Sequence, residues 1–241
     1  MKRKPFIKLF IILLLILFVV TPTIYLGNYY HASDEAVAVV NGEYPDIRIE
    51  EKDDHISFVP EHYEKGFIFY PGAKVEYKAY SELMQKCSEE GILCILEHMP
   101  ANLALFGINK ADRIISEYPE VKEWYIGGHS LGGVCAAMYL DKHQEDLAGL
   151  ILLASYTTKD LSGSGLKALS ITATNDGILN REKYDENKAN LPEGYKEYII
   201  EGGNHCQFAD YGFQKGDNEA SISSERQLQE TAAAITAFIK D

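Results

Sequence analysis

The 241-residue sequence has no Cys-x-x-Cys pair and no His-Glu-x-x-His signature, and it holds only four cysteines, Cys87, Cys94, Cys135 and Cys206. Zinc knuckles, thioredoxin-like redox sites and zincin chemistry therefore have no support in the spacing, so neither a metal nor a cofactor is expected. Four scattered cysteines also do not make a disulfide framework. Cys94 and Cys135 lie in apolar surroundings and read as small buried hydrophobes, whereas an oxidising compartment would allow Cys87 and Cys94 to bridge. Positive charge is scarce as well. There are 23 Lys and Arg against 36 Asp and Glu, a net charge of −13. The first eight residues hold four basic side chains and no acid, so the remainder carries −17. A body that acidic repels phosphate backbones, which argues against nucleic acid as a partner. Repeats, low-complexity tracts and long linkers are missing too, and 46% hydrophobic with 24% charged residues is ordinary globular composition.

One long apolar run is present. It is unbroken from Leu9 to Val20 behind Lys2-Arg3-Lys4 and continues less purely to Leu26. Its length falls between a signal-peptide core and a spanning helix. An uncleaved anchor is favoured because no small-x-small site follows directly; Ala36-Val37-Ala38 fits that pattern but lies too far downstream. Tyr25, Tyr29 and Tyr30 suit the aromatic belt at a membrane surface. A cleaved signal peptide is the alternative. Either way the positive-inside rule keeps residues 1–4 cytoplasmic and sends the rest across. The expected organisation is an anchor and flank over residues 1–30, a polar neck over 31–45 and one domain over 46–241, with the lipid bilayer as partner of the first segment.

Period-2 alternation at 47–49 and 55–59 predicts an N-terminal β-hairpin. Beyond it, short apolar runs at 66–70, 92–97, 124–128, 147–154, 168–173 and 198–200 alternate with helical patterns at 76–90, 110–118, 131–143, 182–190 and 225–240. Runs of that kind are strands buried on both faces, so the fold class is α/β: a doubly wound, mostly parallel sheet flanked by helices.

The most informative stretch is Gly128-His129-Ser130-Leu131-Gly132, between a buried strand and a helix that starts with small residues. A serine at the tip of a sharp strand-to-helix turn is held clear of the backbone, and the flanking glycines remove side chains that would clash across it. The helix beginning at Leu131 aims its N-terminal N–H groups at charge developing beside Ser130. Such a hydroxyl needs a base. Of seven histidines, His205 follows the last strand and the Gly202-Gly203-Asn204 turn near the chain's end. His98 also follows a strand; His129 is adjacent to Ser130 and points elsewhere; His31, His55, His62 and His143 lie in the neck, around the hairpin or at a helix end. The acid belongs just past a strand between Ser130 and His205. Asp176, in Asn175-Asp176-Gly177, fits that position, and Asp160 is the runner-up.

The order Ser130, Asp176, His205 resembles that of the α/β-hydrolase superfamily. Tyr70-Pro71-Gly72-Ala73-Lys74-Val75, Gly127–Gly133 in one-letter form GGHSLGG, and Gly202-Gly203-Asn204-His205 resemble segments of the small single-domain group that includes dienelactone-hydrolase-like proteins, over about residues 45–241. True dienelactone hydrolases use a cysteine nucleophile where this sequence has Ser130. The resemblance implies oxyanion-hole N–H groups from Leu131 and, less securely because a Pro-Gly turn replaces the commoner His-Gly, from Ala73. Superfamily lids are inserted after the strand at 147–154. Only residues 155–167 follow here, so no cap domain is expected and the site should be open, with Tyr156 and Phe208 as candidate substrate contacts.

These readings converge on a membrane-anchored serine hydrolase acting on an ester or related acyl bond of a small-molecule substrate. An acyltransferase or peptidase with the same triad is a second reading, and a non-catalytic binding module on the same scaffold a third.

Overall fold

The computed structural model describes residues 3–241; Met1 and Lys2, part of the basic cluster expected to stay cytoplasmic, lie outside the described residues. The apolar segment forms helix α1 (Arg3–Leu15), a π-helical turn (Ile16–Val20) and helix α2 (Thr21–Gly27). Within it Lys8–Gly27 is long and apolar enough to cross a membrane. The segment expected as a polar neck is instead ordered onto the domain. Ser33 caps helix α3 (Asp34–Val40) by accepting from the Ala36 N–H at 3.0 Å, and Ala36 and Val40 are buried. Polar neighbours hid this short helix in the sequence; its burial depends on a partner surface that local pattern does not reveal.

Strands β1 (Ile47–Glu51) and β2 (His55–Pro60) form the expected hairpin, Ile47 opposite Pro60 and Glu51 opposite Ile56. There follow β3 (Lys65–Tyr70), α4 (Ser81–Glu89), β4 (Leu93–Glu97), α5 (Ala111–Glu117), β5 (Glu123–His129), α6 (Leu131–Leu140), β6 (Gly149–Leu153), β7 (Lys167–Ala173), α7 (Arg181–Asn187), β8 (Lys196–Ile200) and α8 (Ser224–Lys240). The strands make one eight-stranded sheet in the order β1-β2-β4-β3-β5-β6-β7-β8, antiparallel through β1, β2 and β4 and parallel from β4 onward. The expected doubly wound, mostly parallel sheet is therefore present. Apart from α3, the differences lie at element ends: the helix predicted from residue 76 opens with the 3-10 turn Tyr77–Tyr80, and that predicted to 143 stops at Leu140.

Alternation along the strands divides the core in two. Phe67, Phe69, Cys94, Leu96, Tyr125 and Ile151 face α3, α4 and α8, while Ile68, Tyr70, Leu93, Ile95, Trp124 and Ile126 face α5 and α6. Both faces are covered, which is why these strands read as unbroken apolar runs. All four cysteines are buried free thiols. Chain order reverses around β3, which lies between β4 and β5. In open α/β sheets such a switch leaves a crevice at the strands' carboxyl ends. Here those ends are Tyr70 and His129, one residue before Ser130.

Candidate active site

Ser130 sits at the β5–α6 turn with φ 52° and ψ −124°, a left-handed backbone that a non-glycine residue adopts only under constraint. The constraint is visible. Its N–H donates to Leu153 O at 2.9 Å, and its carbonyl accepts from Ser155 Oγ at 2.7 Å. The two framing glycines are required sterically. A Cβ on Gly128 would lie 2.5 Å from Tyr70 O, and one on Gly132 would lie 2.0 Å from Tyr70 O and 2.4 Å from Pro71 O. The loop after β3 is thus pressed onto the turn, which brings the Gly72-Ala73 region to the elbow.

His205 follows β8 and Asp176 follows β7, as expected from the sequence. His205 Nδ1 lies 2.9 Å from Asp176 Oδ2, with both residues buried. Asp176 Oδ1 accepts from the N–H groups of Ile178 and Leu179, each at 2.8 Å. Burial pushes the Asp176 carboxyl up, but the hydrogen bond and charge of His205 and the two backbone donors outweigh it and hold the group below the usual carboxylate range. Asp160 is exposed, accepts from Ser162 and does not meet the histidine.

A cavity of about 250 Å³ is lined by Ser130, Leu131, Val134, Tyr156, Leu179 and His205 among others. Nucleophile, base and Tyr156 therefore share one space, with no hydrogen bond between the Ser130 hydroxyl and the imidazole. Such serine–histidine contacts commonly tighten only in the substrate complex. The Leu131 N–H, first in α6, has no intrahelical acceptor and is free to receive a ligand oxygen. Ala73 is half-buried and not among the cavity's lining residues; nor is His98, which is exposed and stacks on Tyr77 at 4.5 Å. Phe208 is fully buried with its ring 5.7 Å from that of His129, so it packs behind that histidine and is not among the cavity's lining residues. A larger hollow of about 520 Å³ lies between residues 105–110 and the end of α6, but its lining holds no serine, cysteine or histidine, so size alone does not mark the site.

Two supporting residues, Asp217 and Tyr80, escaped the sequence reading, and a third, His129, was expected only to point away from the site. Asp217 Oδ1 accepts from Gly177 N–H at 2.9 Å and Oδ2 from Cys206 N–H at 2.8 Å, clamping the acid's loop to the histidine's. His129 points under the site, its ring 4.4 Å from that of His205, and burial followed by the charge of His205 holds it well below the usual histidine range. Its Nδ1 lies 2.8 Å from the Tyr80 hydroxyl, which in turn accepts from Gly72 N–H at 3.0 Å. Asp217 and Tyr80 carry no local motif; only the folded loops bring them in. Among the described residues, no group of three or more His, Cys, Asp or Glu could hold a metal ion.

A model of the alpha/beta hydrolase family matches residues 66–229. No curated protein matches the sequence. Among solved structures, the dienelactone hydrolase of Anabaena variabilis is 10% identical, covering 80% of this chain and 99% of that one with a TM-score of 0.59. Est1E of Butyrivibrio proteoclasticus is 12% identical, covering 81% and 100% at 0.57. The monoacylglycerol lipase of Paleococcus ferrophilus is 12% identical, covering 79% and 99% at 0.60. At these identities the likeness is one of fold.

Proposed function

Because the chain belongs to the alpha/beta hydrolase family, we propose that it is a membrane-anchored serine hydrolase that cleaves carboxylic esters or related acyl bonds through Ser130, His205 and Asp176. The observation that carries this reading is the 2.9 Å contact between His205 and Asp176, with the imidazole facing the cavity that also holds Ser130. Asp176 accepts from Nδ1–H, which fixes the tautomer and leaves Nε2 as the base. Ser130 Oγ attacks the acyl carbon as Nε2 takes its proton, and the developing oxyanion meets the Leu131 N–H at the positive end of α6. The imidazolium then protonates the leaving group, and a water activated by the same histidine releases the acyl group from Ser130. Tyr156 borders the substrate space. Ala73 is the second oxyanion donor in this scheme, supported by its loop's packing on Gly132.

Membrane anchoring rests on the N-terminal helix. Its 20 residues from Lys8 to Gly27 span about 30 Å, the thickness of a hydrocarbon core, and its side chains from Leu9 to Leu17 are exposed. The basic N-terminus favours a cytoplasmic start and an extracytoplasmic domain. Labelling with a fluorophosphonate probe tests the catalytic proposal. The expected result is one labelled serine, lost in Ser130→Ala; an unlabelled wild-type chain would sink it.

A further inference from the structure

Tyr30 ties the N-terminal segment to the domain at a defined point. Its N–H donates to Lys74 O at 2.7 Å, its carbonyl accepts from Glu76 N–H at 2.8 Å, and its hydroxyl accepts from Lys215 N–H at 3.2 Å. Three residues later Ser33 N–H donates to Asp210 O at 2.9 Å, and Ser33 Oγ to Asp210 Oδ2 at 2.5 Å. Lys74 adjoins Ala73 in the turn after β3, and Asp210 and Lys215 lie on the loop after His205. The segment therefore docks on the loops that carry the candidate catalytic groups, at the carboxyl edge of the sheet.

The apolar helix ends at Gly27. Only Asn28 and Tyr29 separate it from Tyr30, and three fully extended residue steps reach at most about 11 Å. The headgroup layer on one side of a bilayer is roughly 5–8 Å thick. A tether this short crosses that layer and leaves no slack for the domain to turn another edge to the lipid. A second tie runs from Lys74, whose ammonium lies 4.5 Å from the ring of Tyr25 in α2.

The same region carries apolar side chains that nothing covers. Phe213, two residues from Lys215, is 52% exposed. Leu105 and Phe106 are 48% and 66% exposed, on the connection whose Asn102 carbonyl accepts from Lys74 N–H at 2.8 Å. Outside the N-terminal helix and the edge strand β8, these three are the large hydrophobics left exposed among the described residues. Lys74 and Lys215 add positive charge here to a body that is otherwise acidic, which suits anionic headgroups.

We propose that the carboxyl edge of the sheet is a membrane-docking surface: Phe213, Leu105 and Phe106 enter the interface of the bilayer that holds the N-terminal helix, and the Ser130 cavity takes acyl esters of bilayer amphiphiles. This rests on the reading of that helix as an uncleaved anchor. The test uses the full chain reconstituted in vesicles of phosphatidylcholine with a minority of phosphatidylglycerol. Spin labels go on Phe213→Cys and, at the opposite edge, on exposed Lys122→Cys, the native thiols being buried. The expected result is a label at 213 relaxed by oxygen and shielded from a water-soluble nickel chelate, with the reverse at 122. A label at 213 as wet as that at 122, on a chain that still floats with the vesicles, overturns the docking surface and spares the anchor. A chain that does not float overturns both. In a second arm, Phe213→Ser with Phe106→Ser should lower hydrolysis of a vesicle-borne long-chain ester by about tenfold while leaving a soluble short-chain ester unchanged. Equal rates on the vesicle-borne ester count against docking. Inactivity of the wild type on both esters would instead defeat the serine-hydrolase reading, and the spin labels would still report.

Discussion

Ser130 combines a strained backbone with a place in the lining of the site cavity, and the strain is held by bonds to its backbone N–H and carbonyl. Ser130→Ala should therefore leave the fold intact while esterase activity falls on the order of 10³-fold or more, measured as kcat/KM on a soluble ester. Activity near wild type would mean that another group attacks. Asp217 belongs to a different class of residue. It accepts three backbone N–H groups, those of Gly177, Asn218 and Cys206, and so holds the acid and histidine loops in register. Asp217→Ala leaves those donors unpaired in a buried setting, and a loss of about 2–4 kcal/mol in urea unfolding is expected alongside a fall in kcat. An unchanged unfolding midpoint would count against the clamp. Ser130, Asp176 and His205 could be singled out in the sequence because each follows a strand in a motif or turn of recognisable composition, and the fold brings them to one place. Asp217 and Tyr80 were not, since their contacts exist only after distant loops have closed on one another.

At the scale of elements, the parallel strands were legible for a physical reason: burial on both faces turns alternation into plain apolar runs, which the eye finds without a partner. Helix α3 was not, because Ala36 and Val40 acquire meaning only against the surface they cover. The same strands carry an unusual group. Glu97, at the end of β4 and paired in register with His55 of β2, is 1% exposed, and neither carboxylate oxygen has a hydrogen bond; the Lys110 ammonium lies 3.5 Å away. Burial outweighs that lysine and pushes Glu97 up to about 7 from its ordinary 4.5. A folded-state value above the unfolded one means that the native state binds the extra proton. This contribution to stability is complete below pH 4.5, is lost as the pH rises to about 7, and is level beyond. Glu97→Gln cannot ionise, so it should be more stable than wild type by up to about 3 kcal/mol at pH 8 and nearly equal at pH 4.5. Urea midpoints at the two pH values check this. The β5–α6 junction makes the opposite demand. Gly132→Ala puts a methyl 2.0 Å from Tyr70 O, so the loop after β3 must move, and both stability and activity should fall.

For the whole molecule, the docking of Tyr30 and Ser33 onto the loops that carry the candidate catalytic groups changes what the N-terminal helix would do in a membrane. With a free neck a membrane-spanning helix would only confine the domain to a surface; with Tyr30 and Ser33 fixed, it would also orient the domain. Orientation has a consequence for sidedness. The chain beyond residue 8 carries −17, and on the proposed topology it follows a basic N-terminus that resists translocation. On that topology the cavity would open toward the outer leaflet, and its substrates would be those found on that side. In sealed vesicles of known sidedness, external protease should degrade the domain when the outer face is exposed and spare it when the cytoplasmic face is exposed. Deleting Lys2, Arg3 and Lys4 together removes three of the four basic side chains that favour this arrangement, so part of the population should invert and become protected. A domain protected in right-side-out vesicles would place it in the cytoplasm. A soluble product beginning near residue 30 would mean cleavage, and it would cut the chain at the residue that ties helix to site.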